Sequence, residues 1–142
     1  EPFWVVTTHL THKFASEEQR RQARQLLTWL DALRAQSTYK KCFLCGDFNS
    51  VCFLPRSAYS VITADKRYQD LMWRGSSLKW FLTQSSFNLL GPIGFRIDYI
   101  MSVQDQDETT LVCDEVRVVK ASYDDKQASD HCLVFADCHW QC

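Results

Sequence analysis

Four short stretches of the sequence place polar, titratable side chains at the ends of apolar runs. The stretches are TTHL with His9, GDFNS with Asp47 and Asn49, RIDYI with Asp98, and SDHCLV with Asp130 and His131. In α/β proteins, binding and catalytic groups collect at strand ends and in the loops that follow them. Gathered at one edge of a sheet, these carboxylate, amide and imidazole groups would form an active site.

Side-chain alternation along a strand adds detail to this prediction. Successive side chains point to opposite faces, so Asp47 and Asn49 are predicted on the same side of their strand. Asp98 lies in the apolar run RIDYIM, where a carboxylate buried without a partner would cost several kcal/mol. We therefore predict that Asp98 pairs with His131.

Each stretch also has a purely structural interpretation. These interpretations are a strand-end histidine at His9, turn formation at Asp47 and Asn49 after Gly46, an ion pair of Asp98 with Arg96 or another base, and a turn cap at Ser129 and Asp130. Four such coincidences in one short chain are less expected than one shared site. The set as a whole favours function.

The elements that must position these groups follow from the apolar patterns. Strands are predicted over residues 3–10, 42–48, 95–102, 110–119 and 132–137, with a short helix within residues 55–64 and a turn over residues 91–94. Polar loops are predicted over residues 104–109 and 121–129. The first strand is predicted to be buried. The second is a continuous apolar run of the kind that is buried on both faces.

The clearest helix is predicted to begin at Ser16. Ser16 and Gln19 have the spacing of a capping box, and Glu17 and Glu18 suit the positive end of the helix dipole. An apolar face at helical spacing follows, made of Ala23, Leu26, Leu27, Leu30 and Leu33. The sequence therefore predicts an α/β fold with one sheet and flanking helices on one face. The other sheet face would be apolar and would need a second layer.

Composition limits the classes of protein that fit. The 142 residues are 46% apolar and 13% aromatic, as expected of one packed domain. A net charge of −1 gives no overall nucleic-acid or membrane signature. No apolar run approaches the roughly 20 residues of a transmembrane helix. The first residues carry neither a signal peptide nor an initiator Met, so the chain is expected to begin inside a larger unit.

Seven cysteines form an odd set, at positions 42, 45, 52, 113, 132, 138 and 142. Four of them lie in strand-like apolar runs, where a free cysteine behaves as a small hydrophobic residue. An intracellular, reduced protein is therefore favoured over a disulfide scaffold. Cys42-x-x-Cys45 is weak as a zinc or redox motif because no second ligand pair matches it. Cys138-His139-x-x-Cys142 is equally weak.

In their order and residue sequence, the four stretches resemble the C-terminal half of the exonuclease–endonuclease–phosphatase (deoxyribonuclease I-like) superfamily, over roughly residues 4–136. LCGDFNS followed by PRSAYSVI, with TTHL upstream, looks closest to the deadenylase branch, which includes the nocturnin and angel proteins. The resemblance implies a four-layer α/β/β/α sandwich. Residues 1–142 would form its second half, with the N-terminal half absent.

The resemblance also implies an activity, which is metal-assisted phosphodiester hydrolysis. Asp47 would orient or deprotonate the attacking water, and Asn49 would hold the scissile phosphate or a metal-bound water. Asp98 would orient His131, which would contact the phosphate and the developing negative charge. His9 would be a phosphate contact or a general acid.

The implied cofactor is Mg²⁺, with Mn²⁺ as an alternative, because the donors are oxygens without a Cys/His cluster. The implied ligands are Asp130, directly or in the surrounding shell, with Asn49 and Asp47. The principal ligand of the family is a Glu from the N-terminal half, and this chain contains no strand-borne Glu that matches it. Alone, the chain is expected to bind metal poorly and to be inactive.

Three explanations fit this departure from the family pattern. The chain is a fragment of a longer enzyme, it is completed by a partner chain, or it is a degenerate member with a structural part in a larger assembly. The favoured function is a Mg²⁺-dependent nuclease or deadenylase-like phosphodiesterase. The alternative is a non-catalytic structural or binding subunit built on the same fold.

RNA is the favoured substrate for two reasons. The motifs resemble those of the deadenylase branch, and aromatic and basic residues are interleaved between GDFNS and RIDYI. These residues are Arg67, Trp73, Arg74, Lys79, Trp80, Phe81 and Phe87. Such a mixture suits base stacking and phosphate contact. It also fits an ordinary core and surface, and DNA, sphingomyelin and inositol phosphates stay open as substrates.

Overall fold

The computed structural model describes residues 2–72, 85–90, 93–104, 110–119, 122–123, 126–127 and 129–141. This part of the chain contains two helices, α1 (Glu17–Gln36) and α2 (Ala58–Thr63). Its strands are β1 (Trp4–His9), β2 (Cys42–Asp47), β3 (Tyr68–Asp70), β4 (Phe87–Leu90), β5 (Ile93–Phe95), β6 (Asp98–Val103), β7 (Thr110–Val119), β8 (Ser122–Tyr123), β9 (Lys126–Gln127) and β10 (Leu133–Gln141). The α/β fold predicted from the sequence is confirmed.

The central sheet contains four strands in the order β1-β2-β6-β3. β1 and β2 are parallel and are joined through α1, as parallel neighbours require a crossover. β6 is antiparallel to both β2 and β3. The last residues of β1 and β2 therefore lie beside the first residue of β6.

Three two-stranded sheets complete the described structure: β7 with β10, β4 with β5, and β8 with β9. β7 and β10 form the longest antiparallel pair. Its register places Asp137 opposite Glu115 but Cys138 opposite Cys113. Asp114 is therefore the extra residue of a β-bulge in β7.

The core lies between α1, α2 and one face of the central sheet. Ala23, Leu26 and Leu30 of α1 are buried in one cluster with Leu44 of β2 and Met101 of β6. Burying this apolar surface is what holds the helix on the sheet. The predicted α1 face is thus largely confirmed.

The predicted helix face is wrong at its end, because Leu33 is 50% exposed. The predicted capping box at Ser16 is half formed. The Ser16 side chain accepts a hydrogen bond from the Gln19 N–H, but the Gln19 side-chain oxygen accepts one from the Ala15 N–H. A complete capping box occurs instead at α2, between Ser57 and Ser60.

Two strand predictions need correction for burial. β1 is an edge strand, and its Val5 is 55% exposed, so the predicted burial of this strand is wrong. In β2, Cys42 and Leu44 are fully buried whereas Phe43 and Cys45 are only half-buried. The helices cover one face of the sheet, and the other face is covered only in part.

Other strand boundaries also differ from prediction. The predicted strand 95–102 is divided into β5 and β6 at Arg96 and Ile97, and β10 continues to Gln141. The sequence missed β3, and it missed the β8–β9 pair within the predicted loop 121–129. Half of the predicted turn 91–94 and most of the loop 104–109 lie outside the described residues.

The break before β6 is occupied by a buried ion pair between Arg96 and Asp70. Both side chains are almost inaccessible, at 0% and 2% exposure, and the guanidinium donates to both carboxylate oxygens at 2.9 and 2.6 Å. Asp70 also accepts hydrogen bonds from the Tyr59 hydroxyl and the Met72 N–H, each at 3.0 Å. Burial disfavours the charged guanidinium, but the bonds to Asp70 outweigh it and raise the pKa of Arg96. Arg96 therefore pairs with Asp70, and the open alternative of an Asp98–Arg96 pair is not what forms.

Replacing Arg96 by Met should lower the free energy of unfolding by about 3–5 kcal/mol, because Asp70 would stay buried without its cation. Urea denaturation measures the change. Arg117→Met is the matched control, since the pair of Arg117 with Glu115 is exposed on both sides. It should change stability by less than about 1 kcal/mol. Equal unfolding midpoints for the two variants would contradict the importance of the buried pair.

Gly46 is the point of closest approach between β1 and β2. Its φ is +135°, and an added Cβ would overlap the carbonyl oxygen of Thr8, its partner in the register. Gly46→Ala should therefore cost about 3 kcal/mol or more and loosen β1, measured by urea denaturation and by faster hydrogen exchange of β1 amides. Cys45→Ala, one residue earlier, is the control and should cost about 1 kcal/mol. Protected β1 amides in Gly46→Ala would refute this.

Candidate active site

Three of the predicted site residues form one row across the central sheet. The register pairs His9 with Asp47 in β1 and β2, and Asp47 with Asp98 in β2 and β6. Residues directly opposite one another point to the same face of a sheet. This face is opposite the one that carries Leu44 and the helices. The row lies at the edge where β1 and β2 end and β6 begins.

His131 completes the group from outside the central sheet. Its Nδ1 is 2.9 Å from Oδ2 of Asp98, so the predicted Asp98–His131 pair is present. Its Nε2 is 3.8 Å from Oδ2 of Asp47. On the other side, Nε2 of His9 is 3.4 Å from the same Asp47 oxygen. The Asp47 carboxylate thus lies between two imidazoles.

Ser86, which was not singled out from the sequence, and Phe87, which was predicted only as part of a substrate surface, place His131 and Asp98 together. The Ser86 hydroxyl accepts hydrogen bonds from the N–H groups of Ile97 and Asp98 at 3.1 and 3.0 Å, and its carbonyl accepts one from Cys132. Phe87 forms a β-bridge with His131, and the two ring centroids are 5.0 Å apart. The sequence signal for this contact was the pair of serines, Ser85 and Ser86, directly before an apolar strand.

Asn49 does not lie on the strand that carries Asp47. β2 ends at Asp47, and Asn49 follows in the left-handed region with φ +46°, so the predicted shared strand side is wrong. The Asn49 N–H donates to Oδ1 of Asp47 at 2.7 Å, and its side-chain amide donates to the Leu10 carbonyl at 2.9 Å. Asn49 therefore fixes one oxygen of Asp47 and ties the end of β2 to the loop after β1.

The residues on either side of Asn49 are also held by the fold. Phe48 is fully buried, and its ring stacks on Tyr99 with centroids 5.1 Å apart. The hydroxyl of Ser50, also fully buried, accepts a hydrogen bond from the Tyr59 N–H at 3.0 Å. The loop after β2 is thus a packed part of the core.

Gln19 links both loops at this edge to the start of α1. Its side-chain amide is fully buried and donates to the carbonyls of Thr11, Phe48 and Asn49 at 3.1, 3.3 and 2.7 Å. A buried amide that lost these acceptors would leave several polar groups unpaired. Gln19 is therefore a positioning residue for the strand ends that carry His9 and Asp47.

The electrostatics of the group favour a protonated His131. Burial opposes the charged imidazole, but the hydrogen bond to Asp98 and the charges of Asp98, Asp47 and Asp130 outweigh it and raise the pKa of His131. Burial also raises the pKa of Asp47, and the nearby Asp98 charge adds to this effect. The Asn49 N–H and the two histidines act in the opposite direction. A cation between two carboxylates is what this charge distribution supports.

The sequence model of the Endonuclease/Exonuclease/phosphatase family matches residues 2–131 of this chain. That range covers most of the chain and every residue of the row. The chain belongs to this family. The superfamily predicted from the four stretches is confirmed, while the deadenylase branch stays a prediction.

Solved structures show the same fold. A mannosyl-6-phosphatase from Bacteroides thetaiotaomicron has a TM-score of 0.71 at 18% identity, covering 95% of this chain and 50% of that chain. A conserved protein of unknown function from Enterococcus faecalis has a TM-score of 0.67 at 21% identity, covering 96% and 50%. An endonuclease/exonuclease/phosphatase family protein from B. thetaiotaomicron has a TM-score of 0.66 at 18% identity, covering 92% and 46%. A comparison with curated proteins gives no match.

The chain spans about half the length of the solved structures that it matches. The architecture described above is thus half of the family fold, with a central sheet and helices on one of its faces.

Members of this family are typically metal-dependent, and one set of side chains within the described part of the chain could hold an ion. Asp47, Asp98 and His131 each offer a ligand atom, and these atoms lie within 4.8 Å of one another. The ligand set predicted from the resemblance was Asp130, Asn49 and Asp47. Of these, Asp47 is in the group, whereas Asp130 is exposed and accepts a hydrogen bond from Ser129 at 3.4 Å.

Most of the predicted aromatic and basic substrate surface lies outside the described residues, at positions 73–84. Of the two members that are described, Phe87 lies at the site against His131. Arg67 is instead engaged with Asp31 and Asp65, at 2.9 and 2.6 Å. Among the described residues, no helix has the length and apolar character needed to cross a bilayer.

The raised pKa of His131 is directly measurable. By ¹H–¹⁵N NMR, the ring of His131 should titrate above the ordinary value of 6.5, and Asp98→Asn should lower that midpoint. Asp114→Asn is the matched control, because Asp114 forms an exposed pair with His139 at 2.6 Å. It should leave the midpoint of His131 unchanged.

The sign of the stability effect follows from the same shift. Because the folded-state pKa is above the unfolded one, protonated His131 adds to stability below the unfolded pKa. This contribution is lost as pH rises through the folded-state pKa. An unchanged midpoint in Asp98→Asn would contradict the role given to the Asp98 hydrogen bond.

Proposed function

We propose that this chain carries part of the active site of a metal-dependent phosphodiesterase, with nuclease activity on RNA as the favoured form. The observation that carries the proposal is the arrangement of Asp47 between His9 and His131, with Asp98 behind His131. This arrangement brings together a carboxylate, an imidazole that Asp98 holds in place and an exposed imidazole at one edge of the central sheet. The family to which the chain belongs hydrolyses phosphate esters.

His131 is the proposed contact to the phosphate. Asp98 binds Nδ1, which directs Nε2 toward the row. Its pKa is raised, so more of the imidazole is protonated near neutral pH than is usual for histidine. A protonated, fixed imidazole donates a hydrogen bond to a phosphate oxygen and offsets charge that develops there.

Asp47 is the proposed group that orients the attacking water. Its Oδ1 is held by the Asn49 N–H, which leaves Oδ2 directed toward the two histidines. A carboxylate fixed in this way can accept a proton from a water molecule placed against it. His9, whose side chain is 72% exposed, is proposed to contact the substrate or to protonate the leaving group.

The proposed ion is Mg²⁺, or Mn²⁺ in its place. Asp47 and Asp98 would supply oxygen ligands, and Asn49 and Asp130 are kept as proposed contributors from the family resemblance. Such an ion neutralises phosphate charge and activates water. Two described carboxylates fall short of the near-octahedral oxygen shell that Mg²⁺ demands. The matching Glu is therefore proposed to come from a complementing segment.

Residues 1–142 are accordingly proposed to act as the C-terminal half of the catalytic domain. The complementing half would belong to the same protein or to a partner chain. It would cover the sheet face that carries the row, where Val5 is 55% exposed and Cys45 is half-buried. By this proposal, the 142-residue chain is inactive alone. The intracellular location favoured by the cysteine pattern stays a prediction.

A phosphomonoesterase is the second candidate. The observation that favours it is the TM-score of 0.71 to a protein that is itself a mannosyl-6-phosphatase. A non-catalytic subunit of the same fold is the remaining alternative. It would need neither the close Asp98–His131 contact nor the raised pKa of its imidazole.

The test is hydrolysis by the longest natural product that contains this chain, and by the 142 residues alone. Poly(A) RNA, single-stranded DNA, sphingomyelin and mannose 6-phosphate are assayed with Mg²⁺ and with EDTA. We expect Mg²⁺-dependent cleavage of RNA by the longer protein. Asp47→Asn and His131→Gln should each reduce the rate about 10²–10⁴-fold, as expected for loss of acid–base groups.

Asp114→Asn and His139→Gln are the matched controls, since this exposed Asp–His pair lies outside the row. They should retain activity. Hydrolysis of mannose 6-phosphate alone would select the second candidate. If Asp47→Asn retains full activity, the row is not the catalytic site. In that case, or if the longer protein cleaves none of the substrates, the non-catalytic subunit is the remaining function for this chain.

A further inference from the structure

A second chemical feature lies on the long β7–β10 pair, outside the row of site residues. Cys113 and Cys138 are register partners on these antiparallel strands, next to the bulge at Asp114. Their sulfur atoms are 3.0 Å apart, and both cysteines are free thiols. Both side chains are half-buried, so a small reagent has access to them.

We propose that Cys113 and Cys138 form a reversible cross-strand disulfide in the presence of a small disulfide oxidant such as oxidised glutathione. The β7–β10 pair is then a site of thiol oxidation, independent of the proposed hydrolase function. This assignment differs from the Cys42-x-x-Cys45 and Cys138-His139-x-x-Cys142 motifs of the sequence, because the thiols are brought together by strand pairing.

The backbone already satisfies the geometry of a disulfide. Directly opposed residues in antiparallel strands have Cα atoms about 4.5–5.5 Å apart, and disulfides accept about 4.4–6.8 Å. A covalent S–S bond is about 2.05 Å long, so the two sulfur atoms need to approach by only about 1 Å. Side-chain rotation can supply this movement without a change of register.

The Cys42-x-x-Cys45 motif lacks this geometry. Cys42 and Cys45 lie three residues apart on the same strand, β2, so their side chains point to opposite faces. Cys42 is fully buried, and burial raises its pKa to about 11. Spacing along the chain therefore does not identify the reactive pair in this protein.

The reaction proceeds in two exchange steps. The Cys113 thiolate attacks one sulfur of oxidised glutathione and releases one glutathione thiolate. Cys138 then loses its proton and attacks the Cys113 sulfur of the mixed disulfide, which releases the second glutathione. Two protein thiols are oxidised, and one glutathione disulfide is reduced to two glutathione molecules.

Cys113 is assigned as the first nucleophile because its sulfur accepts the hydrogen bond that the Cys138 thiol donates. Burial, followed by the hydrogen bond and charge of Cys113 and the charges of Asp137 and Asp114, raises the pKa of Cys138 to about 12. Cys138 therefore stays protonated at neutral pH and acts second, as the resolving thiol. Oxidation should accordingly be slow near neutral pH and faster in mild alkali.

The cross-link would enclose the segment that carries His131, because residue 131 lies between positions 113 and 138. Closing a loop across a sequence separation of 25 residues restricts the unfolded chain. The oxidised chain should therefore melt at a temperature roughly 5–10 °C higher than the reduced chain.

The experiment uses the 142-residue chain incubated with oxidised glutathione at pH 8, then alkylated, digested and analysed by mass spectrometry. We expect a peptide that links Cys113 to Cys138, and we expect dithiothreitol to remove it. Cys113→Ser and Cys138→Ser should each abolish the linkage and the shift in melting temperature. Cys45→Ser, a substitution at another half-buried thiol, is the control and should retain both.

Three outcomes would overturn the proposal. In the first, both thiols can still be alkylated after prolonged oxidation. In the second, each thiol carries only its own glutathione adduct. In the third, either thiol is linked to a different cysteine. The peptide map of the unmodified sequence decides among these outcomes even if a serine variant fails to fold.

Discussion

The side-chain amide of Gln19 is the interaction on which the site edge of this structure depends. One fully buried nitrogen donates to carbonyls of both the loop after β1 and the loop after β2. The two loops carry the chain away from His9 and Asp47, so their spacing sets the spacing of the row. Because Gln19 belongs to the first turn of α1, packing of that helix on the sheet is coupled to the geometry of the site.

The same edge shows how a sheet can hold like charges close together. Asp47 and Asp98 are direct neighbours in the register, and their mutual repulsion contributes to the raised pKa of Asp47. His131 lies against both carboxylates and can compensate the charge of each. The arrangement is costly as architecture but suits the binding of a cation or an anionic ester, which supports a functional interpretation.

Local patterns were enough to predict α1 and most strands, because the periodicity of apolar residues acts over short stretches. The Asp98–His131 pair spans 33 residues, and it was predicted because a carboxylate in an apolar run requires a partner. The Arg96–Asp70 pair was missed because its partners meet only when β3 joins β6, and β3 itself was not predicted. The conformation of Asn49 was missed for a similar reason. Its side chain bonds to Leu10, a contact that exists only after β1 and β2 pair.

The loop after β2 has a consequence for how this family is found in sequences. Of the five residues from Gly46 to Ser50, which span the end of β2 and the start of this loop, only Asp47 directs its side chain into the row of site residues. Gly46 allows two backbones to meet, Phe48 and Ser50 are core groups, and Asn49 joins two loops. Selection for folding alone would therefore retain four of the five residues of GDFNS, all except Asp47. A search with this motif detects the architecture, and an inactive descendant would still be recovered by it.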